Sequence, residues 1–212
     1  MHIPDGFLPP SICLAGYALT GGISWYTLRE IKRDRYTQAN IPKASLLTAA
    51  FFVASLIHIP IPPSSVHLIL NGLMGAVLGF YAFPAILIGL FFQAVMFQHG
   101  GMSTLGVNAI ILGSPAIAAH LLFQQRDRLP DKKQLLTKVL SFAAGAGALL
   151  LSATMFALLL ITYISPDLDA NAERTAILVS MGSYIIQAII EGVFCLMLIS
   201  FLEQVKPELI KH

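Results

Sequence analysis

The sequence predicts an all-α, polytopic membrane protein with seven transmembrane helices, and three observations predict it. First, 56% of the 212 residues are hydrophobic and only 11% are charged, against about 25% charged in an ordinary soluble domain. Second, the charges are clumped. No Asp, Glu, Lys or Arg occurs from Ala44 to Gln125 or from Val139 to Pro166, and charge-free apolar runs of ~18 residues or more read as membrane spans. Third, the positive charges fall into a few segments only, with bare loops between them. A net charge of +2 offers no basic face for nucleic acid. Cys13 and Cys195 sit in apolar stretches far apart and read as small buried hydrophobes rather than as a disulfide.

The elements follow in order along one integral-membrane unit, residues 1–212. Pro9-Pro10 suits a helix start and opens the first span, Ser11 to Leu28. Residues 1 to 10 are turn-like and lack a positive n-region, so no signal peptide is expected ahead of that span. The second span, Ala44 to Ile57, ends before Pro60, Pro62 and Pro63. Val66 to Ala82 and Ala85 to Gln98 are separated only by Phe83-Pro84. Both are short against the ~20 residues a bilayer requires, so they are expected to pack inside other helices or to enter at a slant. Leu105 to Phe123, Lys138 to Ile164 and Ala176 to Leu202 complete the set.

Orientation follows from the loops. Arg29, Lys32, Arg33, Arg35 and Lys43 follow the first span, and Arg126, Arg128, Lys132, Lys133 and Lys138 follow the fifth. Lys206 and Lys211 lie in the tail, whereas the loop after the sixth span is acidic, with Asp167, Asp169 and Glu173 beside Arg174. The positive-inside rule places the basic loops in the cytoplasm, the N-terminus outside and the C-terminus inside.

Polar residues inside the spans need partners. His58 and His99, at outer span ends, and His120, at an inner end, are expected to be solvated there. Asn71 lies four residues after His67 and on the same face of a continuous helix, so the two would line one cavity. Glu191 is the one carboxylate well inside a span, open to either a structural or a substrate role.

The opening Met1-His2-Ile3-Pro4-Asp5-Gly6-Phe7-Leu8 carries the most chemistry. The Met1 amine, the His2 amide nitrogen and His2 Nδ1 can chelate one ion in fused five- and six-membered rings, nearly coplanar because the peptide is planar. Such a field favours Ni(II) or Cu(II), with low-spin Co(II) also able to use it, over Zn or Mg. A histidine on an outward span end would supply a fourth nitrogen, with His67 first among them. Pro4-Asp5-Gly6 is a turn sequence that would fold the start back between helices. Nitrogen ligation implies affinity falling below about pH 6–7.

These residues resemble the CbiM/NikM family, substrate-specific components of cobalt and nickel energy-coupling-factor transporters. The likeness continues through Ser64-Ser65-Val66-His67, through Gln98-His99-Gly100-Gly101-Met102-Ser103-Thr104-Leu105-Gly106-Val107-Asn108, and through Ile190-Glu191-Gly192. It implies a seven-helix subunit of a prokaryotic inner or plasma membrane that holds Co2+ or Ni2+ as transported substrate, with no organic cofactor. The metal ligands it implies are Met1, His2 and His67, with Thr104 and Asn108 as supporting candidates; Asn71, from its spacing to His67, and Glu191, as a carboxylate inside a span, are added to them. The chain departs from some cobalt-type members in having no Cys between Pro62 and Leu68.

No P-loop pattern is present. The resemblance therefore implies partners: a membrane coupling subunit, two cytoplasmic ATPases and a small accessory membrane protein. Two other classes compete with this importer reading, a passive channel or non-metal carrier and an intramembrane protease. No His-Glu-x-x-His pattern occurs for a zinc protease. A serine protease would use Ser103, yet His120 on the same helix is ~25 Å away at ~1.5 Å per residue. Gly16, Ala18, Gly21 and Gly22 on the first span would admit close helix approach, from within the chain or from a partner.

Overall fold

The computed structural model describes residues 1–33, 37–61, 64–128, 133–164 and 169–210. Arg35, Lys132, Asp167 and Lys211 of the charge map lie outside them, as do Pro62 and Pro63. The described chain is built from α1 (Pro10–Arg33), α2 (Thr37–Ala54), β1 (His58–Ile61), β2 (Ser64–His67), α3 (Asn71–Leu78), α4 (Ala82–Phe97), α5 (Leu105–Phe123), α6 (Lys133–Thr162) and α7 (Ala170–Val205). Four helical stretches are long and apolar enough to cross a membrane: Asn71–Phe97, Leu105–Asp127, Gln134–Thr162 and Ala170–Val205, with Asn40–Ala54 as a shorter apolar helix. Large apolar side chains such as Leu14, Trp25, Ile88, Leu158, Ile185 and Met197 project outward, as a lipid-facing surface requires.

The class is all-helical, as expected, with one short antiparallel hairpin added, in which β1 pairs β2 with His58 opposite His67. Consequently Val66 and His67 belong to a strand, and the helix they were expected to open begins at Asn71. A Pro-, Ser- and Val-rich stretch is apolar enough to extend a hydropathy window, but its residues hydrogen-bond across strands instead. His67 and Asn71 therefore do not share a helix face. Asn71 is fully buried and donates to the Leu112 carbonyl at 3.1 Å and to Ser152 Oγ at 2.9 Å, tying α3 to α5 and α6.

The eight residues of α3 amount to ~12 Å of helix, too short to cross a bilayer alone. All eight are buried, and the helix passes through a three-residue 3-10 turn, Gly79–Tyr81, into α4. The bundle wraps round α3, whereas α4 leaves Ile88, Phe92 and Met96 on the outside. Where α1 crosses α5 the backbones touch: a Cβ on Gly106 would lie 2.6 Å from the Tyr17 nitrogen, and one on Gly16 would lie 2.9 Å from the Val107 nitrogen. The small residues at Gly16 thus serve internal packing, whereas Gly21 and Gly22 have open space beside them.

Hydrogen bonds sort the connecting segments into two ends. At one end Lys43 Nζ donates to the Leu209 carbonyl at 3.1 Å, and the Arg126 guanidinium donates to the Ile210 carbonyl. That end gathers the start of α2, the segment after α5 and the chain's tail. At the other end the first residues, the β1–β2 hairpin and the segment 98–104 converge.

Candidate metal centre

The centre is assembled by a strap, residues 1–8, held into the bundle by its own backbone. Ile3 has no exposed surface. Its N–H donates to Asn108 Oδ1 at 2.9 Å, and its carbonyl accepts from Asn108 Nδ2 at 3.0 Å and from Thr104 Oγ1 at 2.6 Å. One carboxamide thus clamps both sides of one buried peptide group, which satisfies the obligatory pairing of backbone polar atoms. Two residues on, the exposed Asp5 carboxylate accepts from Ser103 N at 2.7 Å, from Met102 N at 3.1 Å and from the Ser103 hydroxyl. The Ser103 hydrogen bonds foremost hold the Asp5 carboxyl below its ordinary range. Ser103, the one nucleophile a protease reading would need, is thereby engaged in fastening the strap.

The strap lies directly on Gly100-Gly101. Gly100 has φ +87°, and a Cβ on Gly101 would sit 2.5 Å from the Asp5 nitrogen, so only glycine lets the two backbones approach this closely. Thr104 and Asn108, supporting candidates from the sequence, act on the strap's position through Ile3. Glu191 does so for His67. Its carboxylate accepts from Ile69 N at 2.5 Å, from Leu70 N at 2.9 Å and from Gln187 Nε2 at 3.2 Å, while Gln187 also donates to the His67 carbonyl. Of the two roles the sequence left open for Glu191, these contacts are the structural one.

With the strap docked, His2, His67 and His99 offer ring nitrogens lying within 4.8 Å of one another. Both ring nitrogens of His2, Nε2 of His67 and Nε2 of His99 are buried and have no hydrogen-bond partner. Buried polar atoms in folded proteins are normally paired, so this convergence of orphaned lone pairs marks a place for a ligand. Met1 is 9% exposed and His67 6%. Burial pushes the Met1 amine down to about 5 and, with the nearby chain amine, pushes the His67 imidazole down to about 3. His2 and His99 are lowered by the same causes, desolvation first. At neutral pH the Met1 amine and each of these imidazoles is uncharged, and each offers one nitrogen lone pair.

The flanking backbone is strained where ligand-bearing segments turn. Leu70, three residues after His67, and Gln98, immediately before His99, are the two non-glycine residues with positive φ among those described, at 57° and 51°. Left-handed backbone in such residues costs roughly 1–2 kcal/mol and clusters at functional sites. His99 was expected at a solvated interface and His58 likewise. The structure instead packs His99 against His2, with ring centroids 4.3 Å apart, and leaves only His58 exposed. The Gly100-Gly101 pair after His99 is the sequence signal for that close packing. His120 stands apart, 4.9 Å from the Phe80 ring with Nε2 beside the Gln124 amide at 3.0 Å.

The chain resembles known proteins along most of its length. The family model described as the cobalt uptake substrate-specific transmembrane region, CbiM, matches residues 2–209. A putative metal transport protein of Haemophilus influenzae is 42% identical over 149 residues, covering 70% of this chain and 68% of that one. The fused nickel transport protein NikMN of Rhodobacter capsulatus is 30% identical over 161 residues, and the match covers 73% of this chain but only 46% of that longer protein. A crystal structure of a transition metal transporter shares the fold at a TM-score of 0.76, with 21% identity and coverage of 97% and 93% of the two chains. By the match across nearly its whole length, the chain belongs to the CbiM family.

Proposed function

We propose that this protein is the substrate-binding membrane subunit of an ATP-driven cobalt or nickel importer. It captures the divalent ion near the outer face on the Met1 amine, the His2 amide nitrogen and Nδ1, and a His67 ring nitrogen. The observation that carries this reading is the convergence of unpartnered, buried ring nitrogens from His2 and His67 beside the buried Met1. Neutral nitrogens with no carboxylate among them suit late first-row metals rather than Mg or Ca. The names of the relatives, cobalt for the family model and nickel for the Rhodobacter protein, support the same pair of ions.

The reading takes the end bearing Lys43, Arg126 and the tail as cytoplasmic, with all seven α-helices embedded in a prokaryotic inner or plasma membrane. A coupling subunit, two ATPases and a small accessory protein supply energy at that side. It also requires residue 1 to be the mature amino terminus, which intact-mass measurement checks. Its test is metal content and affinity of detergent-purified protein. His2→Ala and His67→Ala are each expected to abolish tight Ni(II) and Co(II) binding while the helical circular-dichroism signal stays unchanged. Unaltered affinity and an unaltered Ni(II) spectrum in either variant would remove that residue from the site.

A further inference from the structure

We propose a second, outer metal site made of imidazoles alone, in which His58, His67 and His99 receive the hydrated ion before it reaches the strap. The proposal rests on the inner chelate described above, with which it shares His67. Three observations carry it. The first is spacing. Two imidazoles on one ion at ~2.0–2.1 Å hold their ring centroids ~4.5–6.4 Å apart, for bond angles of about 90° to 180°. The centroid separations are 5.7 Å for His58–His67, 6.1 Å for His58–His99 and 5.2 Å for His67–His99, all within that range; the His67 and His99 nitrogens already lie within 4.8 Å of each other, and the exposed His58 ring joins them by turning inward. His2–His99, at 4.3 Å, is packed more tightly than a shared ion needs.

The second observation is the tautomers. His58 Nδ1 faces the Leu56 carbonyl at 3.2 Å and His67 Nδ1 faces the Leu68 carbonyl at 3.3 Å. A carbonyl only accepts, so in both rings Nδ1 bears the proton and Nε2 keeps the lone pair. This is the arrangement in which a second contact orients a metal-binding histidine. His99 Nε2 is buried without a partner. The third observation is a gradient of exposure: His58 is open to solvent, His99 intermediate and His67 buried. The hairpin register that sets His58 opposite His67 fixes the path.

The two sites ask different things of the ion. The planar inner chelate requires an amide proton to leave and hydration water to be stripped. Three imidazoles require no amide proton to leave and displace only part of the hydration shell, since water completes the coordination sphere. His67 belongs to both sets, so the ion exchanges His58 and His99 for the amine, amide and imidazole of the strap without returning to bulk water.

The test uses full-length His2→Ala protein, which removes the imidazole arm of the inner chelate, and Ni(II) alone as probe. That form is expected to bind one Ni(II) per chain in a six-coordinate, paramagnetic state. His58→Ala or His99→Ala on that background is expected to weaken this binding ~10- to 100-fold. With the native N-terminus, the His58→Ala change is expected to leave the square-planar end state intact but to slow its formation in stopped flow. His58 is exposed, so its replacement does not disturb the core, and circular dichroism checks the fold. Loss of all Ni(II) binding in His2→Ala, or residual binding indifferent to both further histidine changes, would overturn the outer site. A native protein showing only the six-coordinate signal would instead sink the inner chelate and leave the outer site standing.

Discussion

The clamp on Ile3 offers the sharpest mechanical consequence. In Asn108→Ala, the Ile3 N–H loses its acceptor at 2.9 Å, and its carbonyl keeps only the Thr104 hydroxyl at 2.6 Å. A buried donor left unpaired costs about 1–3 kcal/mol, charged against the docked strap but not the undocked one, where water satisfies the peptide. If metal binds only the docked form, apparent affinity falls with the docked fraction. At 1.4 kcal/mol per decade the ceiling is a ~5- to 150-fold loss. The strap keeps other anchors, namely the Ile3 side chain, worth ~1.5–3 kcal/mol of apolar burial, and the Asp5 contacts with residues 102–103. The single change should therefore land in the lower half of that range. Adding Thr104→Val strands the Ile3 carbonyl too and should exceed 100-fold. Calorimetric titration with Ni(II), alongside hydrogen exchange at Ile3, measures both quantities. Affinity within twofold of native in the double variant would refute the clamp.

Three further outcomes follow from the same geometry. Gly101→Ala places a methyl against the Asp5 backbone and should block docking, with metal binding reduced ~100-fold or more and thermal stability changed little. Glu191→Ala strands the Ile69 and Leu70 amides and should lower stability by about 2–4 kcal/mol, read by thermal unfolding in detergent. For pH, the Met1 amine falls from its ordinary 8.0 to about 5 and His67 from 6.5 to about 3. The unfolded chain therefore binds more protons between those values, and stability of the metal-free protein should fall as pH drops from about 8 towards 3. Above pH 5 only the His2 amide proton is left to release, so log affinity should rise by about one per pH unit. This moves the lower limit of binding from the pH 6–7 expected of ordinary imidazoles to about pH 5. A slope of two or more would show the ligands charged in the resting protein.

How much of this was legible in the sequence depends on the range of the interaction. The apolar runs and the charge map needed only hydropathy, and the helices Leu105–Phe123 and Lys133–Thr162 closely match the spans drawn from them. Met1 and His2 could be singled out as candidate donors because a chelate of adjacent residues is local chemistry, and the His2 ring nitrogens are buried without partners. The Asn108–Ile3 clamp was not, because it joins residues 105 apart; family resemblance pointed to Asn108 without saying what it holds. The β1–β2 hairpin hid within a hydrophobic window, since Ser64 to His67 has neither helical period nor enough length to declare a strand. His99 was read as a solvated span end because nothing in its own neighbourhood shows that the strap passes over it. The two following glycines carried that information, and it becomes readable only once a second backbone is known to cross them.

The central claim is that the chain's own first nitrogens hold the ion. Its most direct measurement is the electronic spectrum and affinity of Ni(II) bound to C-terminally tagged protein, native and His2→Ala. The account requires one square-planar, nitrogen-ligated Ni(II) per native chain and complete loss of that square-planar signal in the variant. An identical spectrum and affinity in both forms would show that the amino-terminal chelate does not hold the ion.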